Sequence, residues 1–516
     1  TYFGQAIPMS DWKRIVKHAD ENEGGMSTEK RRTLWGDVLE DKGQPFLLDD
    51  DLLTTHIFCA GGSGSGKSEL VKSIAYQQVN KPGGGLILVE AKSDVDLSGT
   101  IYQMCVEANR VDDYYLINFE QPELSHTYNP FYSGGVREMI GSAMRIQGAA
   151  TEEFWNNINR YAFTAVMLAL KSQPGMPPFN IKDFVACLQD FQIVVELTMS
   201  IDKSESPYHK DAYEWLILYL DYWRDKEKGG FRTKDYEVWL TGAAAKFNSF
   251  THSEYSSIVN TYTPDIQLID AILNGKIVIL SMSAMKDKEG VEQFARLFLA
   301  DLARAIGTIQ QEKLKPISLC PLVCDEYGSF ADLSHLNFFQ LARSANMPCI
   351  VLMQAKGFLD AVDPVFAENV MANCSHHFYF DVRDNNTREF VSSMAGTHMA
   401  RMNQYTEGES TGISLGSEST GLLTQDSESA SESIGWKEMR EELILADDFM
   451  DLDQGDAMIV GKTGVYRTRF PLVITPNVPA HWKDLLLVKH KHAKKVGIGA
   501  WERRVSNAER VIKSML

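Results

Sequence analysis

The run Gly61-Gly62-Ser63-Gly64-Ser65-Gly66-Lys67-Ser68 decides the fold of this chain, because it fits the phosphate-binding pattern G-x-x-x-x-G-K-[ST] at every fixed position. The apolar residues 55–60 before it predict a short buried strand, and residues 69–79 after it predict a helix. The pattern requires this order of strand, loop and helix. A plain Gly/Ser turn needs neither flanking element, so the sequence predicts a nucleotide site.

Each part of this loop has an expected contact with the nucleotide. Glycines let backbone N–H groups close around phosphate oxygens, and the following helix directs its positive end at the anion. We expect Lys67 to reach the β- and γ-phosphates and Ser68 to ligand Mg²⁺. The residues predicted to contact ATP are Gly62, Ser63, Gly64, Ser65, Gly66, Lys67, Ser68 and Glu69.

The rest of the chain predicts an α/β fold built on a mostly parallel sheet. Apolar, β-branched runs alternate with helical patterns, which is typical of a parallel sheet covered on both faces. These runs are residues 86–89, 114–119, 276–282, 321–324, 349–353 and 377–382. The alternation stops between residues 135 and 262, where amphipathic helical patterns follow one another. We therefore expect an all-α domain inserted into the nucleotide-binding domain.

The 516 residues are too many for one ordinary core. We assign residues 1–134 and 263–482 to the two parts of the nucleotide-binding domain, residues 135–262 to the insertion and residues 483–516 to a basic helical segment that leads to a partner-binding extension. Residues 406–433 are rich in Ser, Gly, Thr and Glu and predict a flexible loop. Seven cysteines, an odd number scattered among apolar strands, indicate reduced thiols in a cytosolic compartment.

The charge distribution bears on the partners of the protein. The net charge is −18, yet residues 483–516 hold nine basic and three acidic residues, so the preceding chain is strongly acidic. Non-specific nucleic-acid binding depends on Lys and Arg that neutralise phosphates. The balance therefore disfavours binding of DNA over the whole surface, although a locally basic channel stays possible. The basic segment is either a solvated helix or a docking segment for an acidic partner.

A second chemical element is the apolar run of residues 321–324, which ends in Asp325 and Glu326. At the carboxyl edge of such a sheet, Asp325 is expected to hold Mg²⁺ through water, and Glu326 to act as the general base. The alternative is an acidic pair that caps the next helix. The phosphate loop upstream favours the catalytic interpretation, and with it hydrolysis rather than mere binding.

Three further positions are candidates for contact with phosphate. Gln354 ends the next predicted strand, where its amide would contact the γ-phosphate. Arg343 lies near the end of a predicted helix and is either an arginine finger for a neighbouring subunit or part of a surface ion pair. The Glu90-Ala91-Lys92 turn ends the second strand, so it either approaches the phosphates or only forms an ion pair.

Together these motifs resemble those of type IV secretion coupling ATPases, and the resemblance covers nearly the whole chain. The matching positions, in order, are the phosphate loop, Glu90-Ala91-Lys92, Asn129-Pro130-Phe131, Gly275-Lys276-Ile277-Val278, Asp325-Glu326, Arg343 and Gln354. The resemblance implies a RecA-like P-loop ATPase domain, an inserted all-α domain, a homo-hexamer and an N-terminal membrane anchor outside this sequence. Two departures are Glu90, where aspartate is usual, and Ser68, where threonine is common.

Within this family the chain resembles the coupling ATPases of Dot/Icm systems. That resemblance implies recruitment of effector proteins through adaptors and chaperones, at the cytoplasmic face of a bacterial inner membrane. Two alternatives stay open. One is a DNA-translocating motor of the conjugation or chromosome-segregation type, which DNA-stimulated ATPase activity would indicate. The other is a scaffold that ATP stabilises with little turnover.

Overall fold

The structure is a computed structural model. It describes the chain except residues 24, 148–152, 253, 412–427, 475–476, 483–485, 487–496 and 516.

The strands are β1 (Tyr2–Pro8), β2 (Gln44–Leu47), β3 (Ile57–Ala60), β4 (Leu86–Glu90), β5 (Tyr114–Asn118), β6 (Ile277–Ser281), β7 (Leu322–Asp325), β8 (Cys349–Met353), β9 (His376–Tyr379), β10 (Thr397–Thr411), β11 (Glu428–Glu442), β12 (Asp456–Gly461) and β13 (Gly464–Arg469).

The helices are α1 (Met9–Glu23), α2 (Thr28–Lys42), α3 (Asp50–Leu53), α4 (Lys67–Asn80), α5 (Val95–Glu107), α6 (Val136–Gln147), α7 (Glu153–Lys171), α8 (Ile181–Gln189), α9 (Phe191–Met199), α10 (Pro207–Tyr222), α11 (Thr233–His252), α12 (Tyr255–Val259), α13 (Leu268–Leu273), α14 (Lys288–Gln311), α15 (Leu336–Ser344), α16 (Gly357–Asp360), α17 (Pro364–Asn373), α18 (Asn385–Ala395) and α19 (Ala500–Met515). No helix among the described residues combines the length and apolar character needed to cross a membrane.

In the described part of the chain the main sheet has eleven strands, in the order β2-β1-β13-β12-β9-β3-β8-β7-β4-β6-β5. The strands from β9 to β5 run parallel to one another. The remaining strands, β12, β13, β1 and β2, extend this sheet in antiparallel pairs. The predicted α/β fold with a mostly parallel sheet is confirmed, and the antiparallel edge is an addition that the sequence patterns did not reveal.

Both faces of the parallel strands are covered, as their continuous apolar runs indicate. On β3, Ile57 and Cys59 face one core, with the helices α4 and α5. Phe58 and Ala60 face the other core, which continues into the helices between β5 and β6. The described elements between residues 136 and 259 are helices, and they pack directly on the sheet through this shared core.

Two regions differ from the sequence-based expectation or lie partly outside the described residues. Strands β10 and β11 form a separate antiparallel hairpin, so residues 406–411 and 428–433, predicted as loop, are strand. The other residues predicted as loop, 412–427, lie outside the described residues. The same holds for much of the basic segment at 483–516, of which α19 is described as a helix packed on α8.

Candidate functional site

The phosphate loop joins the end of β3 to the start of α4. The chain turns sharply here because Gly64 and Gly66 adopt left-handed φ values of 77° and 115°, which residues with a side chain rarely adopt. The hydroxyl oxygen of Ser65 is buried and has no hydrogen-bond partner among the residues that the structure describes. A buried hydroxyl without a partner is costly. The loop therefore offers a polar group that a bound phosphate would satisfy.

Lys67 lies inside this loop. Its Nζ donates hydrogen bonds to the backbone oxygens of Gly61, at 2.5 Å, and Gly62, at 3.0 Å. Burial lowers the pKa of the ammonium, while the nearby carboxylates of Glu326 and Asp325 oppose this effect. The cation expected to bind phosphate is thus held at the loop by carbonyl groups that a stronger anion can replace.

The carboxylates Asp325 and Glu326 lie at the same edge of the sheet, at the end of β7. Burial raises the pKa of Asp325, and the neighbouring Glu326 charge raises it further against the opposing effect of Lys92. Glu326 has a left-handed φ of 53°, and its N–H donates to Asp325 Oδ1 at 3.1 Å. This backbone conformation costs energy for a residue other than glycine and is typical of functional sites.

In the Glu90-Ala91-Lys92 turn, the side chains of Glu90 and Lys92 contact different partners. The Glu90 carboxylate accepts hydrogen bonds from the Ser281 hydroxyl, at 2.5 Å, and the Asp94 N–H, at 2.9 Å. Burial raises its pKa to about 7. Lys92 Nζ lies 2.5 Å from Glu326 Oε1. The structure therefore gives Lys92 an ion pair with the predicted general base, and the Lys92 charge also acts on Lys67 in the phosphate loop.

Gln354 and Ser68 lie where the sequence placed them. Gln354 follows β8, and the last residue of that strand, Met353, accepts a hydrogen bond from the Gly61 N–H at 3.1 Å. The exposed side chain of Gln354 therefore begins next to the phosphate loop. Ser68 is in the first turn of α4, directly after Lys67. Glu69 pairs with Lys72 at 2.8 Å on the same helix.

Arg343 lies at the opposite edge of the sheet. It is exposed in the last turn of α15, which leads into the start of β8, and its charge acts on His56 at the start of β3. The phosphate loop begins at the other end of β3, about 13 Å away for a strand of this length. The structure does not bring Arg343 to the phosphate loop of its own chain.

The structure adds residues that the sequence analysis missed. Asp381 O accepts a hydrogen bond from the Gly62 N–H at 2.8 Å, and a side chain at Gly62 would begin 3.9 Å from Arg383 Nε. Gly455 donates its N–H to Ser65 O at 3.0 Å. Arg383 follows a predicted strand of the same sheet, so its place at this edge was readable from the sequence. Gly455 precedes β12, a strand that was not predicted.

Comparison with known proteins gives three similarities. A protein family described as the TraM recognition site of TraD and TraG matches residues 320–454. The chain is 23% identical over 398 residues to the type 4 coupling protein DotL of Legionella pneumophila subsp. pneumophila (strain Philadelphia 1), with 69% of this chain and 51% of the relative covered. The chain therefore spans about half the length of the curated relative that it matches.

Solved structures of the coupling protein TrwB share the fold. The bacterial conjugative coupling protein TrwBdeltaN70 superimposes with a TM-score of 0.56 at 14% identity, covering 83% of this chain and 87% of that one. The plasmid coupling protein TrwB in complex with ADP and Mg²⁺ superimposes with a TM-score of 0.56 at 12% identity, covering 93% of this chain and 97% of that one. These similarities confirm the resemblance to type IV coupling proteins and the RecA-like P-loop fold.

Proposed function

We propose that this chain hydrolyses ATP in a type IV secretion system and couples the hydrolysis to recruitment and transport of effector proteins. The observation that supports it is the meeting of three elements at one sheet edge. These are the phosphate loop after β3, the Asp325-Glu326 pair after β7 and Gln354 after the strand between them. Phosphoryl transfer needs a phosphate cradle, a metal ligand and a group that orients water, and this edge supplies all three.

The residues take the following roles in this proposal. Lys67 binds the β- and γ-phosphates. Ser65, whose buried hydroxyl has no partner within the described ranges, adds a hydrogen bond. Ser68 and Asp325 hold Mg²⁺, which when bound neutralises phosphate charge. Glu326 orients the attacking water and accepts its proton, and Gln354 contacts the γ-phosphate. TrwB structures with ADP and Mg²⁺ and with a non-hydrolysable ATP analogue support these two ligands.

Protein cargo is favoured over nucleic acid by charge and by similarity. The chain has a net charge of −18 despite its basic C-terminal segment. An acidic surface repels a polyanion, because non-specific DNA binding depends on basic residues. The curated relative DotL is named a type 4 coupling protein, in line with the resemblance to Dot/Icm ATPases. Adaptors and chaperones are the proposed carriers of the effectors.

The proposal includes a ring of six subunits at the cytoplasmic face of the bacterial inner membrane. Arg343 is exposed at the sheet edge away from its own phosphate loop, and in this proposal it acts on a neighbouring subunit. An arginine finger supplied from a neighbour requires this separation from the cis site.

A DNA-translocating motor is the second candidate. It is favoured by the structural similarity to TrwB, which is named a conjugative coupling protein. The two functions differ in what stimulates ATP turnover.

Two measurements on the purified chain separate these candidates. The first is the affinity for duplex DNA over a salt series, together with ATP turnover with and without DNA. We expect a Kd near or above the roughly 10⁻⁴–10⁻⁶ M of non-specific binding at physiological salt, and no stimulation. The second measures the binding of purified adaptors from the same secretion system to the chain and to a version that ends at Trp482. Adaptor binding should need residues 483–516. Tight, salt-sensitive DNA binding by the shorter version, with stimulated turnover, would establish the motor instead.

A further inference from the structure

An ion pair joins the proposed general base to a lysine on the neighbouring strand. The Nζ of Lys92 lies 2.5 Å from Glu326 Oε1, and the two side chains are 48% and 12% exposed. Burial alone would lower the pKa of Lys92, but the hydrogen bond to Glu326 and the charge of Asp325 raise it above its usual value. The lysine is therefore charged when it contacts the carboxylate.

The order of strands places the backbone of Lys92 one strand further from β3 than the backbone of Glu326. The sequence of neighbours is β3, β8, β7 and β4, with the phosphate loop after β3 and Lys92 after β4. Strands lie about 4.8 Å apart, so Glu326 is about 10 Å from the line of β3 and Lys92 about 5 Å further. The side chains reach back toward the loop, because the charges of Glu326 and Lys92 both act on Lys67.

Both partners have fixed backbones, and the lysine side chain is the more exposed of the two. The backbone of Lys92 forms an isolated antiparallel β-bridge with Ser283. The carbonyl oxygen of the preceding Ala91 accepts a hydrogen bond from the Ala284 N–H at 3.0 Å. Glu326 is fixed by its turn at the end of β7. The lysine side chain, with about half of its surface exposed, is the part that can leave the pair. Separation of the pair therefore needs a change of side-chain rotamers and no change of fold.

We propose that Lys92 is a positioning residue that restrains Glu326 in the resting protein, so that its removal accelerates hydrolysis. The proposal rests on the ATPase function proposed above. In the reaction, the water oxygen bonds to the γ-phosphorus as the bond to the β–γ bridging oxygen breaks, and that oxygen leaves with the electron pair on ADP. Glu326 takes the proton of the water. The Lys92 ammonium occupies a carboxylate oxygen of Glu326 and restrains the group that must orient the water and accept its proton.

The test compares Lys92→Met, Lys92→Arg and a matched control, Lys286→Met, in the whole chain. Lys286 forms an ion pair with Glu120 at the same sheet edge, beyond β6 and away from Glu326. We expect Lys92→Met to raise kcat for ATP about fivefold, equivalent to about 1 kcal/mol, with KM within about twofold of native. Lys92→Arg restores the native kcat, because it keeps the charge, and Lys286→Met leaves kcat unchanged.

A second readout needs no turnover. Thermal unfolding of the nucleotide-free protein is measured for Lys92→Met, Glu326→Gln and the double variant. Lys92 and Glu326 should show a coupling of about fivefold in the folding constant. This coupling should disappear when the chain binds Mg²⁺ and a non-hydrolysable ATP analogue. A coupling that is absent without nucleotide, or unchanged by it, overturns the proposal.

The kinetic outcomes separate failure of this inference from failure of the ATPase function. If Lys92→Met lowers kcat and raises KM, Lys92 is a substrate ligand and the restraint is wrong. If it leaves both constants unchanged in an active protein, the pair is only structural. If native and Lys92→Met chains bind ATP and neither hydrolyses it, both proposals fail. A silent native chain that becomes active on Lys92→Met supports both.

Discussion

Replacement of Gly66 by alanine tests the contact between the phosphate loop and the segment before β12. Gly66 has a φ of 115°, and a Cβ added there would lie 2.9 Å from Gly455 N and 3.0 Å from its Cα. Gly64, with a φ of 77°, is the matched control, because a Cβ there meets nothing within 4 Å. Both variants strain the backbone, and only Gly66→Ala also displaces a neighbouring backbone.

The expected magnitudes follow from these contacts. A left-handed backbone costs a residue with a side chain about 1–2 kcal/mol. At Gly66 the collision with Gly455 must in addition break the Gly455 N–H to Ser65 O hydrogen bond, worth about 1 kcal/mol. We therefore expect Gly64→Ala to lower the free energy of unfolding by about 1–2 kcal/mol and Gly66→Ala by about 2–3 kcal/mol.

The assay is chemical denaturation of the two variants and the native chain without nucleotide, with titration of an ATP analogue as the second readout. Analogue affinity should fall more for Gly66→Ala, since the loop itself is displaced. Equal losses for the two variants in both assays would refute the claim that Gly455 braces the loop.

Three further predictions concern charged groups. Burial raises the pKa of Glu90 from 4.5 to about 7. Because this folded-state pKa lies above the unfolded one, the native chain should lose stability as pH rises through that window. Glu90→Gln should therefore gain up to about 3 kcal/mol in unfolding free energy relative to the native chain between pH 5 and 8, measured by denaturation. A difference that does not depend on pH would contradict this. Arg383 lies beside Gly62 with a 79% exposed side chain, so Arg383→Ala should weaken ATP binding about fivefold without changing the unfolding free energy; unchanged affinity would exclude a phosphate contact. Arg343→Ala should cost about 10³ in rate, and mixing it with Lys67→Ala subunits should restore some turnover in mixed rings; no recovery in rings shown to be mixed would leave Arg343 a structural role.

The sequence was most informative where local pattern and chemistry coincide. The phosphate loop has a fixed spacing, and the pair Asp325-Glu326 follows an apolar run that the alternation with helical patterns predicts as a buried strand. Both predictions depend on residues close together in the chain. The carboxyl ends of parallel strands meet at one edge, so the common location of these motifs followed from the fold class.

The remaining features depend on contacts between distant parts of the chain. The antiparallel edge pairs Gln5 with Arg469, and no local pattern reveals such a partner. The role of Lys92 stayed open for the same reason, because an ion pair with Glu326 requires knowledge of which strands are neighbours. Residues 406–411 and 428–433 are polar enough to predict a loop, yet they pair as a hairpin whose backbone hydrogen bonds the composition does not reveal.

The most direct test of the account is a comparison of ATP binding and hydrolysis by the native chain, Lys67→Ala and Glu326→Gln. Glu326→Gln should bind Mg²⁺ and ATP as the native chain does and hydrolyse the nucleotide at least about 10²-fold more slowly, since it lacks the base. Lys67→Ala should lose binding or turnover through the loss of its phosphate contact. Hydrolysis by Glu326→Gln at the native rate, where the native chain is active, would contradict the assignment of the site.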